Sequence, residues 1–229
     1  MTTATRPDHA RKPVSNAGPL QWRSIVDWLR ADGVISAEQA ERTIARCAQA
    51  ESSQHPLVRL GNLSMLRAAD DKPLDVDMLT EYVAQRCGLA FLRIDPLKVD
   101  VGRVADAMSA SYAERHKVLP VQVSGSEVVV ATAEPFVNDW VAEVERQTKR
   151  QVRRVLANPQ HITRYTAEFF ALAKSVREAN KSGGSAGGSS FEQLVELGKS
   201  NKQLDANDQG VIRVVDWLWQ YAFDQRASD

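Results

Sequence analysis

The sequence predicts an α+β fold with an N-terminal helical subdomain, a small three- to four-stranded mixed sheet flanked by helices, a Gly/Ser linker and C-terminal helices. Two β-branched runs, at 118–123 and 127–132, are separated by small residues at 124–126, which favours an antiparallel hairpin. A helical pattern over 137–149 and a strand pattern over 151–157 follow. A strand–helix–strand passage of this length predicts a parallel crossover, so the sheet is expected to be mixed.

The first segment, residues 1–20, is rich in Thr, Arg, Pro and Ala and is predicted to be disordered. Residues 21–88 are predicted to form the helical subdomain, and 57–66 is expected to contribute a turn of helix. Apolar residues at helical spacing and cap residues carry this prediction. The first helix, over 21–31, has the apolar residues Trp22, Ile25, Val26 and Leu29 and is ended by Gly33. The second begins with a capping box formed by Ser36 and Gln39 and has Ala40, Ile44 and Cys47 facing inward. A further helix begins at Asp75 and ends at Gly88.

The α+β domain is predicted over residues 89–174. Pro96 ends its first strand because proline fixes its own φ and restricts the residue before it. Asn158 followed by Pro159 is a helix-start signal, a capping side chain before a proline at the first helical position. Besides the hairpin and crossover, the expected elements are a strand at 89–94, helices at 101–108 and 111–116, and a final helix whose inward residues are Ile162, Tyr165, Phe169 and Leu172.

The composition changes sharply after this domain. Residues 175–190 are predicted to be a flexible linker because glycine and serine dominate the segment. Residues 191–229 are predicted to be helical, and the pattern over 207–226 is apolar around most of a helix circumference, which is typical of a helix buried on several sides. We interpret this segment as the start of a further portion that lies beyond Asp229.

Composition excludes several classes of function. Lys and Arg together number 29, as do Asp and Glu, so no overall charge favours nucleic acid, and no nucleic-acid partner is predicted. Cys47 and Cys87 lie far apart and form no Cys-x-x-Cys pair, which predicts reduced thiols in a cytosolic chain. The four histidines share no metal-ligand spacing. We therefore predict no catalytic, cofactor-binding or metal-binding residue in this chain, and an enzyme acting alone is not favoured.

Three stretches bear on whether the chain binds phosphate or nucleic acid. The tripeptide at 198–200 reads Gly-Lys-Ser, but Gln193 stands where a phosphate loop has its first glycine. The turn at 133–136 has no glycine; Pro135 lacks an N–H and Glu134 repels phosphate, so the sheet is interpreted as a scaffold or docking module. The basic run formed by Lys149, Arg150, Arg153 and Arg154 has no interleaved aromatic residue, and a solvated strand end is favoured over a binding patch.

Several separated motifs resemble those of one protein family and occur in the same order along the chain. They are Gly88-Leu89-Ala90-Phe91, Ile94-Asp95-Pro96-Leu97-Lys98-Val99-Asp100, Arg115-His116-Lys117-Val118-Leu119-Pro120-Val121, Val129-Val130-Ala131-Thr132-Ala133-Glu134-Pro135 and Leu156-Ala157-Asn158-Pro159. They resemble the N-terminal domain of type II secretion and type IV pilus assembly ATPases, with the similarity covering residues 57–174. The segment 214–229 resembles the helix that opens the ATPase portion of that family. The phosphate loop, acidic boxes and zinc-binding cysteines that follow in the family are not present in this sequence.

The resemblance implies a regulatory and docking module that couples a motor to an inner-membrane platform protein. It implies a full-length parent that is a homohexameric ATPase, with ATP and Mg expected only in the ATPase portion and no cofactor in this chain. The expected location is cytoplasmic, peripheral to the inner membrane through the partner.

Some members of the family bind cyclic di-GMP through segments that begin Arg-Leu-Gly with a further glycine downstream, which makes a cyclic di-GMP sensor the alternative hypothesis. Arg59-Leu60-Gly61 matches the opening, but no glycine stands in the 67–70 region. A structural role for Gly61, in a turn or in close packing, is favoured.

Overall fold

The computed structural model describes residues 18–182, and side chains are described for residues 18–178. The predicted segment 1–17, the linker residues 183–190 and the predicted helices over 191–229 lie outside the described residues.

The described chain is an α+β fold, which confirms the predicted class. Four helices precede a sheet whose strands alternate with further helices. The elements are α1 (Trp22–Ala31), α2 (Ala37–Gln49), α3 (Pro56–Gly61), α4 (Val76–Cys87), β1 (Ala90–Phe91), a 3-10 turn (Pro96–Lys98), α5 (Val101–Ala107), α6 (Ala110–His116), β2 (Val118–Val123), β3 (Glu127–Thr132), α7 (Val141–Thr148), β4 (Gln151–Leu156) and α8 (Pro159–Ser182).

The sheet is mixed and has the order β1-β4-β3-β2. The predicted hairpin is confirmed, because β2 and β3 pair antiparallel with Val118 opposite Thr132, and the pairing shifts at a bulge beside Pro120. The predicted parallel crossover is also confirmed between β3 and β4. β1 pairs in parallel with β4 over two residues only, which is shorter than the predicted strand at 89–94. The chain leaves the sheet after Leu92, whose N–H donates to the carbonyl of Leu156.

The predicted helix caps are present. The hydroxyl of Ser36 accepts the N–H of Gln39 at 3.1 Å, and Asp75 accepts the N–H of Met78 at 2.7 Å. Gly88 ends α4 with φ +70°, the left-handed conformation that glycine adopts at low cost. Caps of this kind each stabilise a helix by about 1 kcal/mol. Local sequence therefore sets where these helices begin and end.

Besides β1, three segments differ from the predictions. α7 begins at Val141 and not at 137, because Trp140 turns into the core with 1% exposure before the helix starts. α8 continues to Ser182, past the predicted end of the domain at 174, because no glycine or proline interrupts it and Arg177 pairs with Asp106 of α5. The predicted disordered segment 1–20 ends too late, because Leu20 is buried at 3% exposure in the core of the helical subdomain.

The core consists of three clusters arranged around the sheet. On one face, β2, β3 and β4 pack against α5 and α8 through residues that include Val129, Val155 and Phe169. On the other face, Val130 packs with Trp140 beside α6 and α7. The third cluster belongs to α1–α4 and includes residues of the sheet and its loops: Leu156, with Phe91 and Phe136 packed against it. The helical subdomain therefore packs directly on the sheet.

Candidate functional site

The turn after β3 joins the sheet to the helical subdomain. One carboxylate oxygen of Glu134 accepts the N–H of Leu20 at 2.6 Å, and the other lies 3.2 Å from Nε2 of His55. The second ring nitrogen of His55 accepts the N–H of Leu57 and caps α3. Glu134 and His55 keep 21% and 14% exposure. Folds that bind phosphate place a glycine-rich turn at this position. In this protein the carboxylate of Glu134 lies here instead and contacts Leu20 and His55, so that it links three segments of the chain.

Asp77 makes a second polar link across the same junction. Its two carboxylate oxygens accept from the amide of Asn158 at 2.7 Å and pair with Arg93 at 2.9 Å, so α4 is held to the segments that follow β4 and β1. Asn158 also caps α8 through the N–H of Gln160, as predicted for an Asn-Pro start. These links surround an apolar contact between α1 and the turn after β3, where the Trp28 and Phe136 rings meet edge to face at 6.4 Å.

Arg59, the first residue of the Arg-Leu-Gly segment, is engaged by the fold. Its guanidinium donates to the carbonyls of Cys47 and Ala50 at the end of α2, and its carbon lies 5.4 Å from the centre of the Trp22 ring. Carbonyls at a helix C-terminus lack intrahelical partners, and a cation there also faces the negative end of the helix dipole. Arg59 therefore acts as a C-terminal cap of α2 in this conformation.

Gly61 is a close-packing residue, which confirms the structural interpretation of this glycine. A Cβ atom at this position would lie 2.6 Å from Cγ2 and 3.0 Å from the backbone nitrogen of Val76, the first residue of α4. The end of α3 can therefore approach α4 only without a side chain. The downstream 67–70 region is a turn in which Arg67 hydrogen-bonds Asp70 and holds the pKa of that carboxyl down to about 2.

The basic run of β4 does not form one cationic face. Arg153 pairs with Glu127 across the sheet at 3.1 Å, whereas Arg154 donates to the carbonyl of Pro135 at 3.0 Å in the turn after β3. Successive residues of a strand point to opposite faces, which accounts for the divergence. Arg150, before the strand, donates instead to the carbonyl of Ser124 at 2.7 Å.

The thiols are free and desolvated. Burial raises the pKa of Cys47 and raises that of Cys87 to about 11, which disfavours the reactive thiolate. Among residues 18–178 no cluster of three or more His, Cys, Asp or Glu side chains could hold a metal ion. Within the described part of the chain, no helix has both the length and the apolar character needed to cross a bilayer.

Comparisons with known proteins agree with the resemblance noted in the sequence. Residues 87–176 match the family model of the MshEN domain. The chain is 33% identical over 215 residues to the type IV pilus assembly ATPase TfpB of Acinetobacter baylyi; the aligned region covers 91% of this chain and 36% of TfpB. The chain thus spans about a third of the length of this curated relative.

Two solved structures are also similar. The structure of MshE with cdg aligns at TM-score 0.44 and 15% identity, covering 63% of this chain and 97% of the chain in that structure. The structure of the N-terminal domain of XpsE aligns at TM-score 0.40 and 16% identity, covering 62% of this chain and 91% of that one. Scores this low do not support a shared function.

Residues 87–176 are an MshEN domain. The resemblance found in the motifs, to the N-terminal region of the type II secretion and type IV pilus assembly ATPases, is confirmed.

Sequence reasoning did not find the residues that hold the two parts together. The sequence indicated only the charge of Glu134, and no pattern singled out Asp77. No local pattern marks either role, because the partners of Glu134 lie 79 and 114 positions away and Asn158 lies 81 positions from Asp77.

Proposed function

We propose that this chain is the docking and regulatory N-terminal module of an assembly ATPase, and that it binds the cytoplasmic part of an inner-membrane platform protein. The observation that carries the proposal is the 33% identity to a type IV pilus assembly ATPase over 91% of the chain, together with the MshEN domain at 87–176.

The structure supports a binding role through the way its polar groups are used. Glu134 of the turn after β3 and Arg59 of the Arg-Leu-Gly segment both hold the fold together. The helical subdomain and the sheet share apolar and polar contacts, so the two parts present a common surface.

The proposal extends to the whole protein. We propose a homohexameric ATPase that binds ATP and Mg in its ATPase portion, with this module placing the motor at the cytoplasmic side of the inner membrane through its partner.

The test is a calorimetric titration of the purified chain with the cytoplasmic domain of the platform protein encoded beside it. We expect a dissociation constant in the micromolar range or tighter. Heat-unfolded chain serves as the control for non-specific association. A folded chain that gives no binding heat at about 100 μM partner would refute the docking function.

A second candidate is a cyclic di-GMP sensor, which the Arg59-Leu60-Gly61 opening favours. The ligand would have to compete with the carbonyls of Cys47 and Ala50 for the Arg59 guanidinium. Calorimetry with cyclic di-GMP at high micromolar concentration tests this function; binding that disappears in Arg59→Ala, with the circular dichroism spectrum unchanged, would support it. Absence of a signal in the unmodified chain would exclude it.

A further inference from the structure

A groove lies at one end of the sheet, away from the junction described above. It has a volume of about 260 Å³ and opens between α5, the β2–β3 turn and the turn that leads from α7 into β4. Small-molecule sites usually have volumes of about 300–1,000 Å³, so this groove suits one or two side chains better than a dinucleotide. Its walls include Arg103, Asp106, Val123, Ser124, Gly125 and Arg150.

Arg150 is fixed in position by the backbone. Its Nε donates to the carbonyl of Ser124 at 2.7 Å and its Nη1 donates to the carbonyl of Thr148 at 3.4 Å, so the guanidinium spans the two turns that border the groove. A guanidinium has five N–H donors, and the remaining ones can form a bidentate pair with a carboxylate. Among the described side chains, no carboxylate lies within ion-pair distance of Arg150.

The charges around the groove favour an anion. Arg103 pairs with Asp100 at 3.2 Å, and Asp106 pairs with Arg177 of α8. These two pairs balance, which leaves the charge of Arg150 in excess. A charged group without a partner in the protein attracts an incoming group of opposite charge more strongly than one that is already paired. Arg150 is therefore the group that would hold an anion.

We propose that this groove docks an acidic segment of a protein partner, with a Glu or Asp carboxylate of that segment held by Arg150. The identity of that partner as the platform protein rests on the proposed function. The proposal names one occupant, a carboxylate-bearing peptide, because the groove suits one or two side chains and its unbalanced charge is positive.

The experiment measures fluorescence anisotropy of a labelled peptide of alternating Glu and Ala against the full chain at low salt. A matched peptide with Gln in place of Glu controls for backbone and length. We expect the Glu peptide to bind at least tenfold more tightly than the Gln peptide, and Arg150→Gln to weaken Glu-peptide binding about tenfold. Arg103→Gln is a second variant, expected to weaken binding about threefold. Arg30→Gln removes the same charge from an exposed position on α1 and is expected to change affinity less than twofold.

The proposal would be overturned if the unmodified chain and Arg150→Gln bound the Glu peptide with equal affinity while circular dichroism showed both proteins to be folded. So would complete displacement of the peptide by inorganic phosphate at matched ionic strength, because that would indicate a general anion site. Should Arg150→Gln fail to fold, unchanged binding by Arg103→Gln would overturn it equally. Titration of the platform domain against the same variants separates the two ideas: platform binding unaffected by Arg150→Gln leaves the docking function intact while rejecting this groove.

Discussion

Replacing Gly61 with alanine is the sharpest test of how α3 packs on α4. The new Cβ would lie 2.6 Å from Cγ2 of Val76, whereas carbon atoms in contact are normally separated by about 3.5–4.0 Å. The backbone nitrogen of Val76 lies at 3.0 Å, so a rotation of the valine side chain alone does not relieve the contact. The end of α3 must therefore move by roughly 1 Å.

The expected cost follows from two opposing effects. Overpacking a core typically destabilises by about 1–3 kcal/mol, whereas alanine in place of a helical glycine stabilises by about 0.5–1 kcal/mol. We expect Gly61→Ala to lower the free energy of unfolding by about 1–2 kcal/mol, which lowers the melting temperature by about 2–8 °C.

Gly102→Ala on α5 is the matched control for this measurement. The nearest atom to a Cβ there is Oδ1 of Asp100 at 3.4 Å, so the change is expected to leave stability unchanged or raise it by up to about 1 kcal/mol. Both variants are compared with the unmodified chain by urea denaturation followed by circular dichroism. A Gly61→Ala chain as stable as Gly102→Ala would refute the packing argument and would direct attention to Gly61 as a ligand contact.

Three further predictions follow from the contacts and the shifted pKa values. Glu134→Gln is expected to lower the free energy of unfolding by about 1–2 kcal/mol, because a neutral amide replaces a charged acceptor; exposed Glu38→Gln should cost less than 0.5 kcal/mol in the same urea titration. Cys87, with its pKa raised to about 11, should react with iodoacetamide at pH 8 on the order of a hundredfold more slowly than free cysteine, and rapid labelling would contradict its burial. Arg67→Ala should raise the Asp70 pKa from about 2 towards about 3.9 in a carboxyl NMR titration. The stabilisation from the Arg67–Asp70 pair is complete above the pKa of Asp70 in the unfolded chain and is lost as the pH falls towards 2. The variant should therefore lose less stability in acid than the unmodified chain does.

The capping box at Ser36 shows where sequence prediction holds and where it stops. The hydroxyl of Ser36 accepts the N–H of Gln39 as predicted. The Gln39 side chain does not return to the cap; with its amide oxygen facing the N–H, it pairs with the backbone of Leu66 at 2.7 and 2.8 Å. A cap involves residues three positions apart, whereas the contact with Leu66 depends on how the loop after α3 folds back on α2.

The family motifs show the same division. Their order in the sequence pointed to the N-terminal region of the assembly ATPases, and the comparisons confirm it. The Arg-Leu-Gly segment allowed a structural or a ligand-binding role, and the packing of Gly61 against Val76 supports the structural role of that glycine. The partners of the basic run likewise depend on the fold, in which Arg153 pairs with Glu127 and Arg154 donates to the carbonyl of Pro135.

By itself, the sequence determined the α+β class, the hairpin, the parallel crossover, the helix caps and the family. Each of these depends on periodicity, turn residues or motifs within a short stretch of chain. Tertiary structure alone decided that Glu134 ties the sheet to His55 and the segment before α1, that Arg59 caps α2, and that Arg150 faces a groove. The physical reason is that a side chain's partners are set by the packing of segments distant in sequence, and local propensity carries no information about which groups that packing brings together.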